Sequence, residues 1–407
     1  MIGIMSAQPQ YNPLSVELAR AISRDLFELN AQPFVKPLVE ITNATSNARF
    51  FSTAYVGDRR WYVRFGIQTM LGFVRGDQKT YAPQLPHDSA LNILPYLQLT
   101  PEIAVRDTVG LLSHLLRYIL HQGLYVDSTI VVPERAPTIV GYDRVNLVIP
   151  RAYLQQKVQE FYPLVRQFYP DFDTTLVEEV IRTMPTEFPL PTGGDINTIV
   201  AAVPQLEIGG LWGTELLLRF VPPIEFDTAV GKFAFWGVAV KHQISRYFRL
   251  PLDIAVQGAY QGTSLQNTVG VTNAKLRANA EIWNLSVQAS RRWGKWQLFT
   301  ALALEHLNIT GTYTYVLPRS LQAQLRLIRW IDQNGDGIPQ DDEWVPDPPD
   351  YPGDTRPQST AISAKDTGVK WIAGVAIDLH PVQLALDLNI GKFTLFTFGL
   401  SYQFQQQ

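Results

Sequence analysis

The clearest indication of the fold lies in residues 369–404, VKWIAGVAIDLHPVQLALDLNIGKFTLFTFGLSYQF. Apolar side chains alternate here with small, polar or charged ones in three runs, which are separated by short turns at His380-Pro381 and Gly391-Lys392. Successive side chains of a β-strand point to opposite faces, so each run predicts a strand with one apolar and one polar face. The apolar rows are Val369, Trp371, Ala373, Val375, Ile377 and Leu379; Leu384, Leu386, Leu388 and Ile390; and Phe396, Phe398, Leu400, Tyr402 and Phe404.

Residues 61–73 show the same alternation near the other end of the chain. An apolar row from Trp61 to Phe73 lies on one face of this run, and a row that contains Arg64 and Gln68 lies on the other. Strands of soluble proteins are usually about 5–6 residues long, whereas a tilted membrane-crossing strand needs roughly 9–11. The length of this run therefore favours a strand that crosses a membrane.

The composition also indicates a chain with little water-facing surface. Hydrophobic residues make up 46% of the sequence and charged residues only 17%, against roughly a quarter charged in ordinary soluble domains. The net charge of −3, with no basic stripe, argues against nucleic acid as a partner. The absence of cysteine excludes disulfides and thiolate metal sites, and it suits export through an oxidising periplasm.

No run of about 18 continuous apolar residues is present, so the sequence predicts no membrane-spanning helix. Only helices and closed barrels satisfy every backbone polar group in lipid, which leaves a barrel as the membrane-embedded fold. Further alternating runs begin at residues 214, 233, 252, 276 and 296, and the run 276–289 changes parity near Ile282-Trp283, as a bulge or a missed turn would. With three less regular runs at 93–105, 124–149 and 204–212, we expect an all-β, antiparallel transmembrane β-barrel of about 12–14 strands.

A soluble antiparallel sandwich is the alternative, because its strands also alternate between two faces. The polar rows argue against it, since Arg64, Gln68, Asp253, Gln257 and Asp387 lie opposite uninterrupted apolar rows in long strands.

Two helical regions interrupt the strand pattern. Asn12-Pro13 starts a predicted helix with Leu14, Leu18, Ile22, Leu26 and Leu29 on one face, and Gln32-Pro33 is expected to end it.

We divide the chain into a signal-like segment 1–8, an N-terminal helical hatch or periplasmic segment 9–60, and a barrel 61–407. The barrel contains a helical insert at about 107–185 and a polar extracellular loop at about 316–366.

The loop at 316–366 contains a pattern typical of calcium-binding loops. Residues 332–343, DQNGDGIPQDDE, fit D-x-[DN]-x-[DN]-G-x5-E. Calcium takes six to eight oxygen ligands, and Gly337 allows the sharp turn that brings them together. Pro339 and the lack of flanking helices depart from the paired form of such loops, and an acidic surface turn is the alternative. The predicted ligands are Asp332, Asn334, Asp336, the Ile338 carbonyl, Gln340 and Glu343.

Catalytic patterns are missing from the sequence. The six histidines (87, 114, 121, 242, 306 and 380) show no metalloprotease spacing, and no G-x-S-x-G or phosphate-binding loop occurs. Glu305 and His306 are strand neighbours and point to opposite faces, so they form no dyad. We expect a protein that is not an enzyme.

The closing strand resembles the last strand of bacterial outer-membrane barrels. Such barrels commonly end in Phe after alternating aromatic or apolar residues, a signal for the assembly machinery, and Phe396 to Phe404 match it. The residues 405–407 (QQQ) follow the Phe and leave the signal slightly internal.

Longer segments (61–76, 204–222, 237–247 and 251–261) resemble an uncharacterised family of predicted outer-membrane proteins from Bacteroidota-like bacteria. A more limited likeness is to fatty-acid-transporter barrels, which have an N-terminal helical hatch and often end as 399–404 (GLSYQF) do. These resemblances imply a Gram-negative cell outer membrane, with outer-membrane lipid and the barrel-assembly machinery as partners.

Two functional hypotheses follow. The first is porin-like passive transport of small or hydrophobic molecules, of unidentified structure, through a barrel partly occluded by helices. The alternative is a non-transport surface-binding or scaffolding barrel that acts through its long, calcium-stabilised extracellular loop.

Overall fold

Ten long strands in the described part of the chain form one closed antiparallel barrel. The computed structural model describes residues 11–56, 61–98, 104–168, 174–225, 232–269, 274–337, 340, 343–347 and 353–405. Each strand pairs with its neighbours in sequence, and the last pairs with the first from Tyr62↔Gln405 to Gly72↔Leu395. The strands are β1 (Tyr62–Phe73), β2 (Thr198–Leu211), β3 (Thr214–Glu225), β4 (Lys232–Gln243), β5 (Asp253–Val269), β6 (Ala274–Trp293), β7 (Trp296–Tyr315), β8 (Gln358–Leu379), β9 (Val382–Ile390) and β10 (Leu395–Gln405).

The predicted fold class is confirmed, with fewer strands than the 12–14 that we expected. The less regular run at 204–212 lies in β2, but the runs at 93–105 and 124–149 do not join the barrel. The strands in their described residues are short: Leu97–Gln98 pairs with Ala104–Val105, Ala136–Pro137 with Thr80–Tyr81, and Asn146–Val148 with Glu187–Pro189. Strands of two or three residues are too short to span the barrel wall, so they belong to the insert between β1 and β2.

The described helices are α1 (Pro13–Ser46), α2 (Thr108–His121), α3 (Arg151–Phe168), α4 (Thr174–Thr183) and α5 (Arg319–Gln324). Within the described ranges, no helix is both long enough and apolar enough to cross a membrane.

Helix α1 starts where the sequence predicts but continues well past the predicted end. The side chain of Asn12 caps it by accepting a hydrogen bond from the Leu14 amide at 2.9 Å. The predicted end at Gln32-Pro33 is wrong, because the helix passes through Pro33 and Pro37. An interior proline costs about 3 kcal/mol, and burial of Phe34 and its neighbours inside the barrel offsets this, at roughly 1.5–3 kcal/mol for each large apolar side chain.

The two ends of the barrel differ in the length of their connections. At one end, which we call the turn side, adjacent strands are joined across residues 212–213, 244–252, 294–295 and 380–381. At the other, the loop side, lie the two long connections 74–197 and 316–357, together with shorter ones such as 391–394. Both the start of β1 and the end of β10 lie on the turn side. In outer-membrane barrels short turns face the periplasm and long loops face outward.

The polarity of the barrel wall inverts halfway along the long strands, and β6 shows this most clearly. On its turn-side half, the outward row is apolar from Trp283 to Ala289 and at Trp293, with Arg291 near the turn, and polar residues from Asn284 to Ser290 face inward. On its loop-side half, exposed polar residues from Lys275 to Glu281 face outward, and buried apolar residues from Leu276 to Ile282 face inward. The strand pairs with both neighbours without a register shift, so the bulge expected at Ile282-Trp283 is absent. The side chains keep alternating between inward and outward along the whole strand. What changes at Ile282-Trp283 is which of the two rows is apolar.

The inversion defines an apolar band around the outside of the turn-side half. On β8 the band runs from Val369 to Leu379, and the outward residues between Ala361 and Thr367 lie beyond it. At about 3.4 Å per residue and a tilt of about 45°, this stretch is roughly 25 Å tall. That height equals the apolar band of outer-membrane barrels, so the loop-side half projects beyond the band.

The loop-side connections and the first half of α1 form a helical layer, which we call the cap. It comprises residues 11–26, 74–197 and 316–357, as far as the structure describes them. Its core contains Ile22 of α1, Leu120 of α2, Leu154 of α3, Val180 of α4 and Leu321 of α5. The connection 316–357 is thus packed against helices. It is also shorter than the predicted loop 316–366, because β8 already begins at Gln358 and its outward residues there are polar.

We expect Val287→Arg, an outward-facing substitution in the middle of the apolar band, to destabilise the barrel by about 2–4 kcal/mol, because arginine is costly at the bilayer midplane. Equilibrium urea unfolding in lipid vesicles measures this. Thr310→Arg, which also faces outward but lies beyond the band, is the matched control and should change the unfolding free energy by about 0–1 kcal/mol. Equal effects of the two substitutions would contradict the position of the band.

Candidate functional site

The lumen of the barrel contains part of the protein's own chain. Residues 43–56, which we call the lumen segment, comprise the last turn of α1 and the extended chain after it. Its wall contacts start near the middle of β8 and end at the turn-side ends of β4 and β6. In chain order they join Asn43 to Asp366 at 2.9 Å, Asn47 to Gln261 at 3.0 Å, Ser52 to Gln383 at 2.6 Å, the Ala54 amide to Ser290 Oγ at 2.9 Å, and the Val56 amide to Gln243 Oε1 at 2.9 Å.

Arg219 makes the densest set of contacts with the lumen segment. Its guanidinium donates to the carbonyl oxygens of Ser46 at 2.9 Å, Ala48 at 2.8 Å and Arg49 at 2.6 Å, and it lies 3.9 Å from the centroid of the Phe50 ring. The last carbonyls of a helix lack helical partners and carry partial negative charge. The buried Arg219 of β3 therefore supplies donors to the carbonyl oxygens at the end of α1, where the chain leaves the helix.

Two lysines hold the segment on either side of Arg219. Lys370 Nζ donates to the Asn47 carbonyl at 3.0 Å, and Lys241 Nζ donates to the Thr53 carbonyl at 3.1 Å. Both ammonium groups are buried and have carboxylate partners on neighbouring strands. Removing one partner of such a pair costs about 3–5 kcal/mol, because the other charge stays buried. The buried ion pairs of the lumen include Lys241–Glu215 and Lys370–Glu305, each at 2.5 Å, Arg64–Glu207 at 2.6 Å, and Arg49–Asp387 at 3.2 Å.

Apolar packing fills the lumen between these polar contacts. Phe50 and Phe51 lie against a wall of small residues, among them Ala239 and Ala301, and Phe51 meets Phe299 edge-on at 5.4 Å. Toward the loop side the helical part of α1 occupies the lumen, with Phe27 stacked on Tyr313 at 4.2 Å between ring centroids. The described chain thus occupies the lumen from the loop side to the turn side.

The sequence predicts the inward polar row and an N-terminal helical hatch, but not the non-helical chain that contacts this row. Arg64, Gln68, Gln257 and Asp387 are buried in the lumen, as the alternation indicates. The lumen segment has no periodicity of its own, so nothing in it predicts an extended chain inside a barrel. A usable signal is the isolated cation on an inward row, such as Lys241 among apolar and small neighbours.

The calcium motif lies on the loop side, between the short paired strands Ile328–Trp330 and Trp344–Pro346. Asp332 accepts hydrogen bonds from the amides of Gly335 at 2.7 Å and Gly337 at 3.0 Å. Gly337 has φ of +71°, a left-handed conformation that glycine adopts readily. The loop therefore makes the sharp turn at Gly337 that the motif requires.

Glu343, the predicted closing ligand, already accepts several hydrogen bonds. Its carboxylate takes them from Trp330 Nε1 at 2.8 Å, the Gln340 amide at 3.0 Å and the Gln333 amide at 3.1 Å. The bond from the Trp330 indole, followed by the backbone bonds, lowers the pKa of Glu343 below its usual value.

The other predicted ligands stay close in sequence and point into the same turn. Asn334 accepts from the Asp336 amide at 2.9 Å, and Gln340 Nε2 donates to Asp336 at 2.9 Å, while Ile338 lies outside the described residues. In the described ranges, no three His, Cys, Asp or Glu side chains lie close enough together to hold a metal ion. Calcium binding stays a prediction.

The structure does not bring His114 and His121 together, although they lie seven residues apart in α2. His114 Nδ1 is 2.6 Å from Asp88, whose carboxylate also accepts a hydrogen bond from Arg117 at 2.8 Å. His121 instead packs against the rings of His87 and Tyr125. The two histidines therefore serve separate contacts within the cap.

No curated protein sequence matches the chain. Three solved structures illustrate the likeness to known barrels. Ail, the attachment invasion locus protein of Yersinia pestis, is 11% identical, with coverage of 47% of this chain and 93% of Ail and a TM-score of 0.21. OmpF of Salmonella typhi, solved in complex with daunomycin, is 11% identical, with 84% and 97% coverage and a TM-score of 0.14. OccK10 of Pseudomonas aeruginosa is 10% identical, with 54% and 80% coverage and a TM-score of 0.11. Scores this low add nothing to what the strand pairing shows.

The resemblance to proteins from Bacteroidota-like bacteria and the likeness to fatty-acid-transporter barrels stay predictions. The expectation of an uncharacterised family is confirmed, because a family model matches residues 1–404. The chain belongs to DUF6588, a family of unknown function.

Proposed function

We propose that this protein is an outer-membrane barrel that is closed by its own chain and holds the helical cap at the cell surface as a binding or scaffolding module. The observation that carries the proposal is the lumen segment, whose carbonyls are bound by the buried cations Arg219, Lys241 and Lys370. The proposal assigns no catalytic step to the chain.

The outer surface supports the location. The apolar band is about as tall as the hydrocarbon-facing band of outer-membrane barrels, which makes lipid the partner of its exposed side chains. The outward row of β10, from Phe396 to Phe404, is exposed and aromatic-rich. We propose that this row is recognised by the barrel-assembly machinery.

The contacts of the lumen segment favour this role over passive transport, the first hypothesis from the sequence. Passage of small molecules would require the lumen segment to leave the barrel. Arg219 and its three carbonyl partners would then lose their hydrogen bonds. Hydrogen bonds to a charged group contribute about 1.5–3 kcal/mol each, and buried groups left unsatisfied cost at least as much. Movement of small molecules through the barrel would therefore depend on prior release of the segment.

The cap supports a surface-binding role through its own exposed side chains. Tyr125, Val126 and Val131 lie within seven positions of each other, near the end of α2, and are 64%, 63% and 77% exposed. Contiguous exposed apolar patches are common at sites of protein–protein contact, and we propose that these three side chains belong to such a patch. We propose that the cap, including the connection 316–357, supplies the contact surface.

We expect wild-type protein in planar bilayers to show little conductance, since the lumen segment occupies the path. Arg219→Met should increase the frequency of channel openings, because it removes the donor to the carbonyls of Ser46, Ala48 and Arg49 while roughly keeping side-chain volume. Single-channel recording measures both.

A disulfide between Ala54→Cys and Ser290→Cys provides the control, because the chain has no native cysteine and the Ala54 amide contacts Ser290 Oγ. In the Arg219→Met background, the oxidised pair should suppress the openings and a reductant should restore them. A steady open-state conductance of the wild type, unchanged by the oxidised pair, would contradict the proposal.

We also propose that calcium stiffens the loop 332–343. Trypsin should then cleave after the exposed Arg329 more slowly in calcium than in EDTA, as mass spectrometry of the fragments would show. The double substitution Asp332→Asn with Asp336→Asn should remove the difference, whereas Asp347→Asn, nearby but outside the motif, should keep it. Equal cleavage of the wild type in calcium and in EDTA would refute calcium binding at this loop.

A further inference from the structure

The path of the chain before β1 crosses the whole barrel. The first half of α1 lies in the cap, where Ser15 Oγ is 2.6 Å from Thr183 Oγ1 of α4 and Ile22 is fully buried in the cap core. The second half of α1 enters the loop-side half of the lumen, and the extended chain continues to Val56 on the turn side. From there the chain enters β1, whose first residue, Tyr62, lies on the turn side as well.

The two sides of the barrel can be assigned from the connections. Short turns lie at the periplasmic end of outer-membrane barrels and long connections at the extracellular end. Here the cap lies on the loop side, and so does the beginning of α1. The start of the described chain and the start of the barrel are therefore on opposite sides of the apolar band.

We infer that the barrel carries its own amino-terminal end across the membrane and displays it at the cell surface. Tyr11, the first described residue, packs against the cap core on the loop side, and the lumen segment is the link that spans the barrel. The barrel thus displays the first half of α1 at the cell surface, which goes beyond the binding or scaffolding role proposed for the cap.

The loop-side lumen is built to accept a helix. Its inward residues include small ones, such as Ala278, Ala280 and Ala364, beside buried positions of α1. An α-helix with side chains is about 10–12 Å across, so small wall residues at this level give it room. On the turn side, where Phe50 and Phe51 fill the lumen, the chain is extended instead.

The arrangement also fixes the displayed end in place. Within the cap, Arg20 of α1 forms a buried ion pair with Asp354 of the connection 316–357. The Arg117 guanidinium of α2 donates to Asp25 of α1 at 2.8 Å. Because the folded cap surrounds the first half of α1, withdrawal of the N-terminal end through the lumen would require the cap to unfold. The N-terminal part of the chain must therefore cross before the cap folds.

The test uses single cysteines in this cysteine-free chain and a maleimide-polyethylene glycol too large to pass through porins. One variant carries a Gly-Ser-Cys linker immediately before Tyr11, and a second is Leu29→Cys, at a position of α1 that is 41% exposed. Glu134→Cys in the cap and Lys295→Cys in the turn between β6 and β7 are exposed controls for the two sides. The unaltered chain gives the labelling background.

In intact cells we expect the linker cysteine, Leu29→Cys and Glu134→Cys to be labelled to a similar extent. Lys295→Cys should react only after the outer membrane is permeabilised. The Leu29→Cys variant leaves the N-terminus unaltered, so it reports on the path of α1 even if the linker blocks assembly.

Labelling of Glu134→Cys in intact cells, with Leu29→Cys and the linker cysteine labelled only after permeabilisation, would overturn the inference. Labelling of Lys295→Cys but not Glu134→Cys in intact cells would overturn it too, since the barrel would then be inverted. The proposed closure of the lumen is tested separately, because an open lumen would change conductance without changing which side each cysteine occupies.

Discussion

The requirement that every buried backbone polar group finds a partner governs this structure. Strand pairing satisfies the backbone polar groups of the barrel wall, and the pairing of β10 with β1 closes the barrel. The extended chain inside the barrel has no strand partner, so its carbonyls are satisfied by side chains of the wall, above all by Arg219. The buried cations that do this are themselves stable because carboxylates on adjacent strands compensate their charge. The lumen segment and the charged inner row therefore depend on each other.

The inversion of polarity along the strands follows from the same occupant. Where the lumen holds the extended chain, the wall is polar inside and apolar outside. Where it holds the apolar face of α1, the wall is apolar inside and polar outside, as the two halves of β6 show. The occupant thus accounts for the inner surface of the barrel, whereas the outward side chains match what surrounds the wall, lipid at the apolar band and water beyond it.

Strand existence could be predicted from the sequence because side-chain alternation is local. The rows at 369–404 and 61–73 identify strands without knowledge of their partners, and the ten barrel strands all contain such a run. The end of α1 could not be predicted, since Pro33 and Pro37 are tolerated through burial in a barrel that local sequence does not reveal. The prediction of a bulge or a missed turn at Ile282-Trp283 is wrong for the same reason, because which face of a strand is apolar depends on what that face contacts.

The candidate site was still harder to predict, because it joins residues far apart in sequence. Nothing near Arg219 indicates that it binds carbonyls of residues 46–49, while the motif at 332–343 is visible because its residues are contiguous.

Hydrogen–deuterium exchange of the lumen segment in the folded barrel would show whether the chain itself closes the lumen. The amides of Ala54 and Val56 donate to Ser290 and Gln243 inside a closed wall. We expect these amides to exchange as slowly as those of the adjoining strands β4 and β6. Exchange at the rate of an unstructured peptide would contradict a lumen closed by its own chain.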